Sequence, residues 1–266
     1  MPEIDLHNLW PMIISGGFVV GFLVGMTGVG AGSLMTPFLI TQIGVGAPLA
    51  VGTDLLFASI TKASAAWPHH TFGNVNWRIV GWLALGSVPG SIAMLVFLSY
   101  FDLDTELMAL VIKRSLIFAL ALSALAILIY PIITRRGADV VEPKEITLRR
   151  LPTLALGLVL GSVVTITSVG AGAIGVVVLT LLYPNLLTRR LIGTDIVHAV
   201  PLTLISGLGH MSIGNTSFGL LGLLLIGSIP GIALGSRLTG KLPDWLLRLF
   251  LSAILCFAAY QIWIHL

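Results

Sequence analysis

Long apolar segments separated by short polar turns make up most of the chain, and two of these segments are interrupted by small residues. The interruptions are Thr27-Gly28-Val29-Gly30-Ala31-Gly32 and Thr167-Ser168-Val169-Gly170-Ala171-Gly172. An unbroken helix over the first segment, about Trp10 to Gly44, would be roughly 50 Å long, whereas the hydrocarbon core of a bilayer is roughly 30 Å thick. We therefore predict that each interrupted segment is a broken or re-entrant helical hairpin rather than one straight crossing.

The second half of the chain repeats the first. Residues 52–90 and 193–231 are identical at 13 of 39 aligned positions, and residues 21–32 and 161–172 at seven of twelve. Aspartate, histidine, asparagine and proline are among the matches, and a shared apolar composition would not put these residues in register. The pattern predicts an all-α protein of two repeats, 1–134 and 151–266, joined by a basic linker, 135–150. Each repeat is one broken hairpin followed by three transmembrane helices.

Composition places the chain in a lipid bilayer. Of its 266 residues 56% are hydrophobic and only 9% are charged, with a mean hydropathy of +1.04. Soluble domains carry about 25% charged residues, so these few could not cover a water-exposed surface. No basic cluster with interleaved aromatic residues indicates a nucleic-acid partner. The acidic, Lys- and Arg-free N-terminus is unlike a signal peptide, so we expect the first segment to be retained.

Basic residues predict the orientation of the segments. The linker from Arg135 to Arg150 carries five basic residues and is expected to be cytoplasmic. Arg189 and Arg190 follow the second interrupted segment and are also expected inside, so that segment returns to its starting side. Counting crossings in both directions then puts both termini outside and gives the two halves opposite orientations. Inverted repeats with broken helices are typical of secondary transporters, which work by alternating access.

The two interruptions have two compatible interpretations. Small residues spaced four apart let helices approach closely, which is a purely structural role. Alternatively, the half-helices present free N–H groups and partial positive charge to an anion near the middle of the membrane. The second interpretation makes every residue from Thr27 to Gly32 and from Thr167 to Gly172 a candidate substrate contact.

Four ionisable residues within apolar segments are further candidates. Asp54 and Asp195 are expected to carry protons, because intramembrane carboxylates are costly and usually functional. The alternative is that each Thr-Asp pair caps a helix. Lys62 is a candidate anion ligand or partner of Asp54, and His198, three residues after Asp195, a candidate proton relay. The other interpretation of Lys62 and His198 is structural: each side chain hydrogen-bonds to a neighbouring helix and has no role in transport. No cysteine cluster or paired histidines indicate a metal.

Three doubled motifs, in this order, resemble the TauE/SafE family of sulfite- and sulfonate-exporter-like permeases. They are the glycine-rich break, Gly-Thr-Asp (52–54 and 193–195) and Gly-Ser-Val/Ile-Pro-Gly (86–90 and 227–231). The resemblance covers nearly the whole chain and implies transport of a sulfur-containing anion such as sulfite or an organosulfonate, with protons as a proposed coupling ion. The second half departs from the first where Ser168 replaces Gly28 and Val177 replaces Pro37, so the site is expected to be asymmetric.

The sequence thus predicts a secondary transporter that exports a small anion, coupled to protons, in the bacterial inner membrane, with no cofactor and no metal. A passive anion channel is one alternative, because the same half-helix ends could line a pore. A membrane-embedded enzyme is a weaker one, since no nucleophile–base pair is spaced for catalysis. Transport powered by ATP hydrolysis within this chain is excluded in practice, because no Walker motif occurs in the sequence. Self-association into a homo-oligomer is left open.

Overall fold

The computed structural model describes residues 6–27, 32–100, 105–134, 147–238 and 243–266. Regular secondary structure in these ranges is entirely helical. The ten helices found there are α1 (Leu6–Thr27), α2 (Gly32–Thr41), α3 (Ala47–Thr71), α4 (Trp77–Tyr100), α5 (Thr105–Thr134), α6 (Arg150–Thr167), α7 (Ala173–Leu182), α8 (Thr188–Ser212), α9 (Phe218–Leu238) and α10 (Asp244–Ile264).

Seven of the helices in the described ranges are long and apolar enough to cross a membrane. They are α1, α4, α5, α6, α8, α9 and α10. Helix α7 is apolar but only 10 residues long. Helix α3 is not among the seven, although its 25 residues have the length of a span, and it carries Asp54 and Lys62 in its interior. The prediction of an all-α polytopic membrane protein is confirmed.

The second interrupted segment is a hairpin of two unequal helices. Helix α6 ends at Thr167, and Ser168 caps it with a left-handed φ of 59°; Gly170 and Gly172 follow with φ of 123° and 117°. The Tyr183 hydroxyl, after the end of α7, lies 2.6 Å from the Thr153 hydroxyl and accepts the Arg149 N–H at 3.2 Å. Helix α7 therefore returns to the end where α6 begins.

The first interrupted segment also consists of two helices, with α1 ending at Thr27 and α2 beginning at Gly32. Four of the predicted substrate contacts, Gly28, Val29, Gly30 and Ala31, lie outside the described residues. The Phe38 ring of α2 packs against Gly16 of α1, where a side chain would collide with it. The two helices therefore lie side by side.

The two repeats pack on each other reciprocally. Helix α1 packs along α9, and α6, the equivalent of α1, packs along α4, the equivalent of α9. Glycines allow this close approach: a Cβ on Gly21 would lie 2.5 Å from the Ser228 carbonyl oxygen, and one on Gly161 would lie 2.7 Å from the Ser87 Cα. Close helix packing is therefore observed at these two glycines, which precede the interruptions. Helices α3 and α8 also pack on each other, as do α5 and α10. The opposite orientation of the halves in a membrane stays a prediction.

The threonines of the two Gly-Thr-Asp motifs bind backbone of the opposite repeat. The Asn76 N–H donates to the Thr194 hydroxyl at 2.9 Å, and the Ser217 N–H donates to the Thr53 hydroxyl at 3.1 Å. These contacts fix the turns before α4 and α9. The aspartates play no such part, because each is the eighth residue of its helix. Helix capping by the aspartates is therefore wrong, since a cap must precede the first helical turn.

Candidate functional site

Three buried ionisable side chains form one group between α3 and α8. Asp54, Lys62 and Asp195 are 0%, 8% and 1% exposed. The Lys62 ammonium interacts electrostatically with both carboxyl groups and donates a hydrogen bond to the Ala171 carbonyl oxygen at 3.2 Å. Because Ala171 belongs to the second break, Lys62 of the first repeat is held by the second. Two carboxyl groups thus share one ammonium in a water-poor environment.

Asp54 is enclosed by hydroxyl groups from both repeats. The Thr36 hydroxyl of α2 donates to Oδ2 of Asp54, and Oδ1 has no protein partner among the described residues. The Ser168 hydroxyl, from the second break, approaches the same carboxyl group without reaching the geometry of a full hydrogen bond. Ser168, the residue that breaks the repeat symmetry, therefore faces Asp54.

Asp195 lies against the N-terminal end of α7. Its carboxyl group interacts with the Gly172 N–H, although both oxygens fall short of hydrogen-bond geometry. It also packs so closely on Gly175 that a Cβ there would lie 3.1 Å from the carboxyl carbon. Helix α7 has no side-chain cap, and its N-terminus carries partial positive charge. A carboxylate of the protein therefore occupies the place that the sequence predicted for a bound anion.

Two cavities border Gly172 and Asp195. The larger, about 350 Å³, also reaches Lys62 and extends past His69 and Ser236, near the C-terminal ends of α3 and α9. This volume is within the range of small-molecule sites. The smaller, about 110 Å³, is lined by Thr27, Tyr130 and Arg248 among others. The Arg248 guanidinium stacks over the Tyr130 ring, 4.6 Å from its centroid.

The break residues differ in their contacts. The hydroxyls of Thr27 and Thr167 donate to carbonyl oxygens of their own helices, at 2.7 Å to Leu23 and 2.6 Å to Val163. Neither hydroxyl is therefore an open donor in this conformation. The side chains of Val169 and Ala171 are buried in the apolar core. Gly32 begins α2, and Gly170 supplies a conformation that side chains rarely adopt.

Thr27 and Gly172 come together on the smaller cavity, so the two breaks meet near Asp195. His198 is fully buried and lies one turn farther along α8, with its Nε2 2.8 Å from the Ser87 hydroxyl oxygen. Sequence reasoning missed Thr36, Tyr130 and Arg248. Thr36 is polar where the other repeat has an apolar residue, and Arg248 has no obvious equivalent in the other repeat. That asymmetry was the only sequence signal for these two residues.

Paired broken helices, buried charges and the cavities beside them in an all-helical membrane protein define a multi-pass membrane transporter. The chain belongs to the sulfite exporter TauE/SafE family, which it matches over residues 13–262. It is similar to the probable membrane transporter protein YjnA of Bacillus subtilis, with 34% identity over 248 residues covering 91% of this chain and 95% of YjnA. The probable membrane transporter protein MJ0441 of Methanocaldococcus jannaschii is 28% identical over 271 residues, covering 95% of each chain. No solved structure matches the chain.

Proposed function

We propose that this protein is a secondary transporter for a small sulfur-containing oxyanion, sulfite or an organosulfonate, coupled to protons by alternating access. The position of Asp195 carries this proposal, since its carboxyl group lies at the uncapped N-terminus of α7 on the wall of the larger cavity. An anion that binds there competes with the Asp195 carboxylate for the same positive end of the helix.

Competition at α7 supplies a coupling mechanism. While Asp195 is ionised, it repels the substrate anion and interacts with Lys62. A proton on Asp195 removes its charge, and both the helix N-terminus and the Lys62 ammonium then become available to the substrate. Proton and anion therefore bind together and cross together. An inward proton gradient drives uptake by this scheme, and export, the direction predicted from sequence, occurs when the cytoplasmic anion concentration is high enough to reverse it.

The different surroundings of the two aspartates favour a transporter over a channel. The larger cavity reaches Asp195 from one end of the molecule. Asp54, at the equivalent position in the first repeat, is fully buried against Thr36 and Ser168. Both aspartates are buried, but Asp195 lines a cavity that Asp54 does not line. This asymmetry is of the kind that alternating access around a central site requires. A passive channel would need both halves open at once.

Reconstituted transport tests this function directly. Proteoliposomes with an alkaline lumen are mixed with labelled sulfite, thiosulfate, an organosulfonate or, as a comparison, a carboxylate. We expect a sulfur oxyanion to accumulate above its external concentration only while the pH gradient lasts, and a protonophore to release it. Equilibration without accumulation would identify a channel, and the absence of movement of every anion would refute the proposed substrate class.

The proposed location is a bacterial inner membrane, with both termini external. Cysteine labelling tests this orientation at two exposed positions after the short helices, Gln42 and Asn185. Gln42 is preferred to Gly44, whose φ of 77° disfavours a side chain. With Cys256 replaced by serine, we expect an impermeant maleimide added to intact cells to modify Gln42→Cys and not Asn185→Cys. Modification of both from the same side would contradict opposite orientations of the hairpins.

A further inference from the structure

A line of buried polar side chains runs along α8 from Asp195 toward the opposite end of the helix. His198, Ser206 and His210 follow Asp195 on α8, and all three are fully buried. His210 is two residues before the end of α8 at Ser212. Fifteen residues separate it from Asp195, a rise of about 22 Å at 1.5 Å per residue. The line therefore begins at the larger cavity and leads away from it.

Hydroxyl groups of α4 and α6 join this line. The His198 Nε2 lies 2.8 Å from the Ser87 hydroxyl oxygen. Farther along, the Ser206 hydroxyl donates to Ser91 Oγ at 3.3 Å and its oxygen lies 2.8 Å from Thr165 Oγ1.

At the far end, the His210 Nε2 lies 2.9 Å from the Thr165 carbonyl oxygen. The Nδ1 atoms of His198 and His210 are buried and have no partner among the described residues. Each ring therefore has one nitrogen free to take up or release a proton.

Packing does not require four of these polar groups, because the other repeat has an apolar residue or glycine in the place of each. Phe57 and Ala65 occupy the positions of His198 and Ser206, and Ile232 and Gly25 those of Ser91 and Thr165. The first repeat nevertheless builds the same helix pairs, α1 with α9 and α3 with α8. Ser87 and His210 have polar equivalents, Ser228 and His69, but the line as a whole occurs in only one half of a nearly symmetric structure. This asymmetry argues for a role beyond holding helices together.

The line is not continuous in this conformation. No hydrogen bond joins Asp195 to His198, and His210 bonds the carbonyl oxygen of Thr165 rather than its hydroxyl. A further gap separates Ser87 from Ser91. Ser87 and Ser91 are one turn of α4 apart, about 6 Å along the helix axis, which one water molecule or a small shift of α4 could bridge. The gap between Ser87 and Ser91 separates the His198 end, on the side of the larger cavity, from the His210 end. The charged groups near the line are Lys62, which acts electrostatically on His198, and Asp54 and Asp195, which both interact with Lys62.

We propose that this polar line is the path by which protons reach Asp195 from the His210 end of α8, closed between Ser87 and Ser91 while the larger cavity is open. The inference rests on the proposed proton-coupled function and adds the route and its gate. Protons reach Asp195 along the line when the cavity is shut, and they leave through the cavity when it opens. Because the two connections alternate, protons do not leak through the protein.

Ser206→Ala tests the path with little risk to folding, because alanine stands at the equivalent position, Ala65, of the first repeat. In proteoliposomes we expect unchanged exchange of labelled for unlabelled sulfite at equal pH, which needs no net proton movement. We expect accumulation driven by a pH gradient to slow about tenfold, less than the roughly 100-fold contribution of a directly acting acid or base. Thr165→Val is expected to behave like Ser206→Ala, and Thr165→Ser, which keeps the hydroxyl, like the wild type.

Ser228→Ala is the matched control, because Ser228 is the repeat equivalent of Ser87 and its buried hydroxyl has no partner among the described residues. It is expected to leave both rates unchanged. If Ser206→Ala lowers exchange and accumulation in parallel, or lowers neither, the hydroxyl serves packing alone and the path is refuted.

A second measurement separates failure of the path from failure of the anion proposal. Infrared difference spectra of the reconstituted protein after a pH jump, with the Asp195 signal identified by its loss in Asp195→Asn, follow protonation without any substrate. The path predicts slower protonation of Asp195 in Ser206→Ala, and an unchanged rate overturns it. If wild-type protein exchanges no anion, the proposed function fails while this measurement still decides the path.

Discussion

Replacing Asp195 with asparagine is expected to abolish anion accumulation driven by a pH gradient while preserving anion exchange. Asparagine has nearly the shape of aspartic acid and stays neutral, so it mimics the protonated carboxyl group at the N-terminus of α7. The substrate then no longer competes with a carboxylate for that helix end or for Lys62. Anion binding becomes independent of pH, and no proton is carried with the anion.

Two assays on one preparation measure the expected difference. Exchange of labelled sulfite at equal pH should equal or exceed the wild-type rate, whereas accumulation under a pH gradient should fall to that of protein-free vesicles. Asp244→Asn is the matched control, because Asp244 is an exposed carboxylate in the first turn of α10, and it is expected to leave both assays unchanged. Accumulation that persists in Asp195→Asn would show that the coupling proton binds elsewhere.

The two aspartates have different surroundings in the two repeats. Asp54 is fully buried and accepts a hydrogen bond from Thr36. Under the proposed alternating access, it is expected to meet the substrate only after the conformational change. The contrast between the aspartates comes from tertiary structure, because both stand in the same Gly-Thr-Asp motif. Thr36 corresponds to the apolar Val176 and Ser168 to Gly28, so the environments of the aspartates differ although the aspartates themselves match.

Helix number, the broken hairpin and the pairing of the repeats were accessible from the sequence, because each follows from a strong one-dimensional signal. The second interrupted segment, which ends at Tyr183, was too long for a single crossing. The basic residues on either side of it required the chain to return to the side where the segment began. The hydrogen bonds of the Tyr183 hydroxyl at the start of α6 confirm that return. The register of the repeats also placed the two Gly-Thr-Asp motifs at equivalent positions, and their threonines make equivalent contacts, Thr194 with Asn76 and Thr53 with Ser217.

Contacts within the site were less accessible, because they depend on side-chain directions in three dimensions. The threonine hydroxyls of the breaks were predicted as substrate donors, but Thr27 and Thr167 donate to carbonyl oxygens four residues earlier, a common local alternative for threonine in helices. Arg248 was not predicted to belong to the site, although it stacks on Tyr130 beside the smaller cavity. No sequence spacing relates α5 to α10 at that point.

Replacing Lys62 with threonine is expected to weaken anion binding about 100-fold. Truncating one partner of a buried charge pair typically costs about 2–5 kcal/mol, and about 2.8 kcal/mol corresponds to a factor of 100 in the dissociation constant. Without the ammonium, two buried carboxyl groups oppose a third negative charge at the same site. Threonine suits the position structurally, because Thr203 occupies the equivalent place in α8 and its hydroxyl donates to the Ala199 carbonyl oxygen at 2.8 Å.

Calorimetric titration of the purified protein with sulfite measures this loss, and thermal unfolding of the same samples shows whether the fold persists. Lys62→Arg, which keeps the positive charge, should bind more tightly than Lys62→Thr but less tightly than the wild type, because guanidinium geometry differs from that of an ammonium. Wild-type affinity in a folded Lys62→Thr protein would exclude Lys62 as an anion ligand.

The double variant Lys62→Thr with Asp195→Asn tests whether the two side chains act as one unit. Removing Asp195 also removes the charge that most directly repels the anion once Lys62 is gone, so part of the lost affinity should return. Groups in contact couple non-additively, typically by about 0.5–3 kcal/mol. If the effects of the two substitutions on sulfite affinity simply add, Lys62 and Asp195 act independently and competition at the N-terminus of α7 cannot couple the proton to the anion.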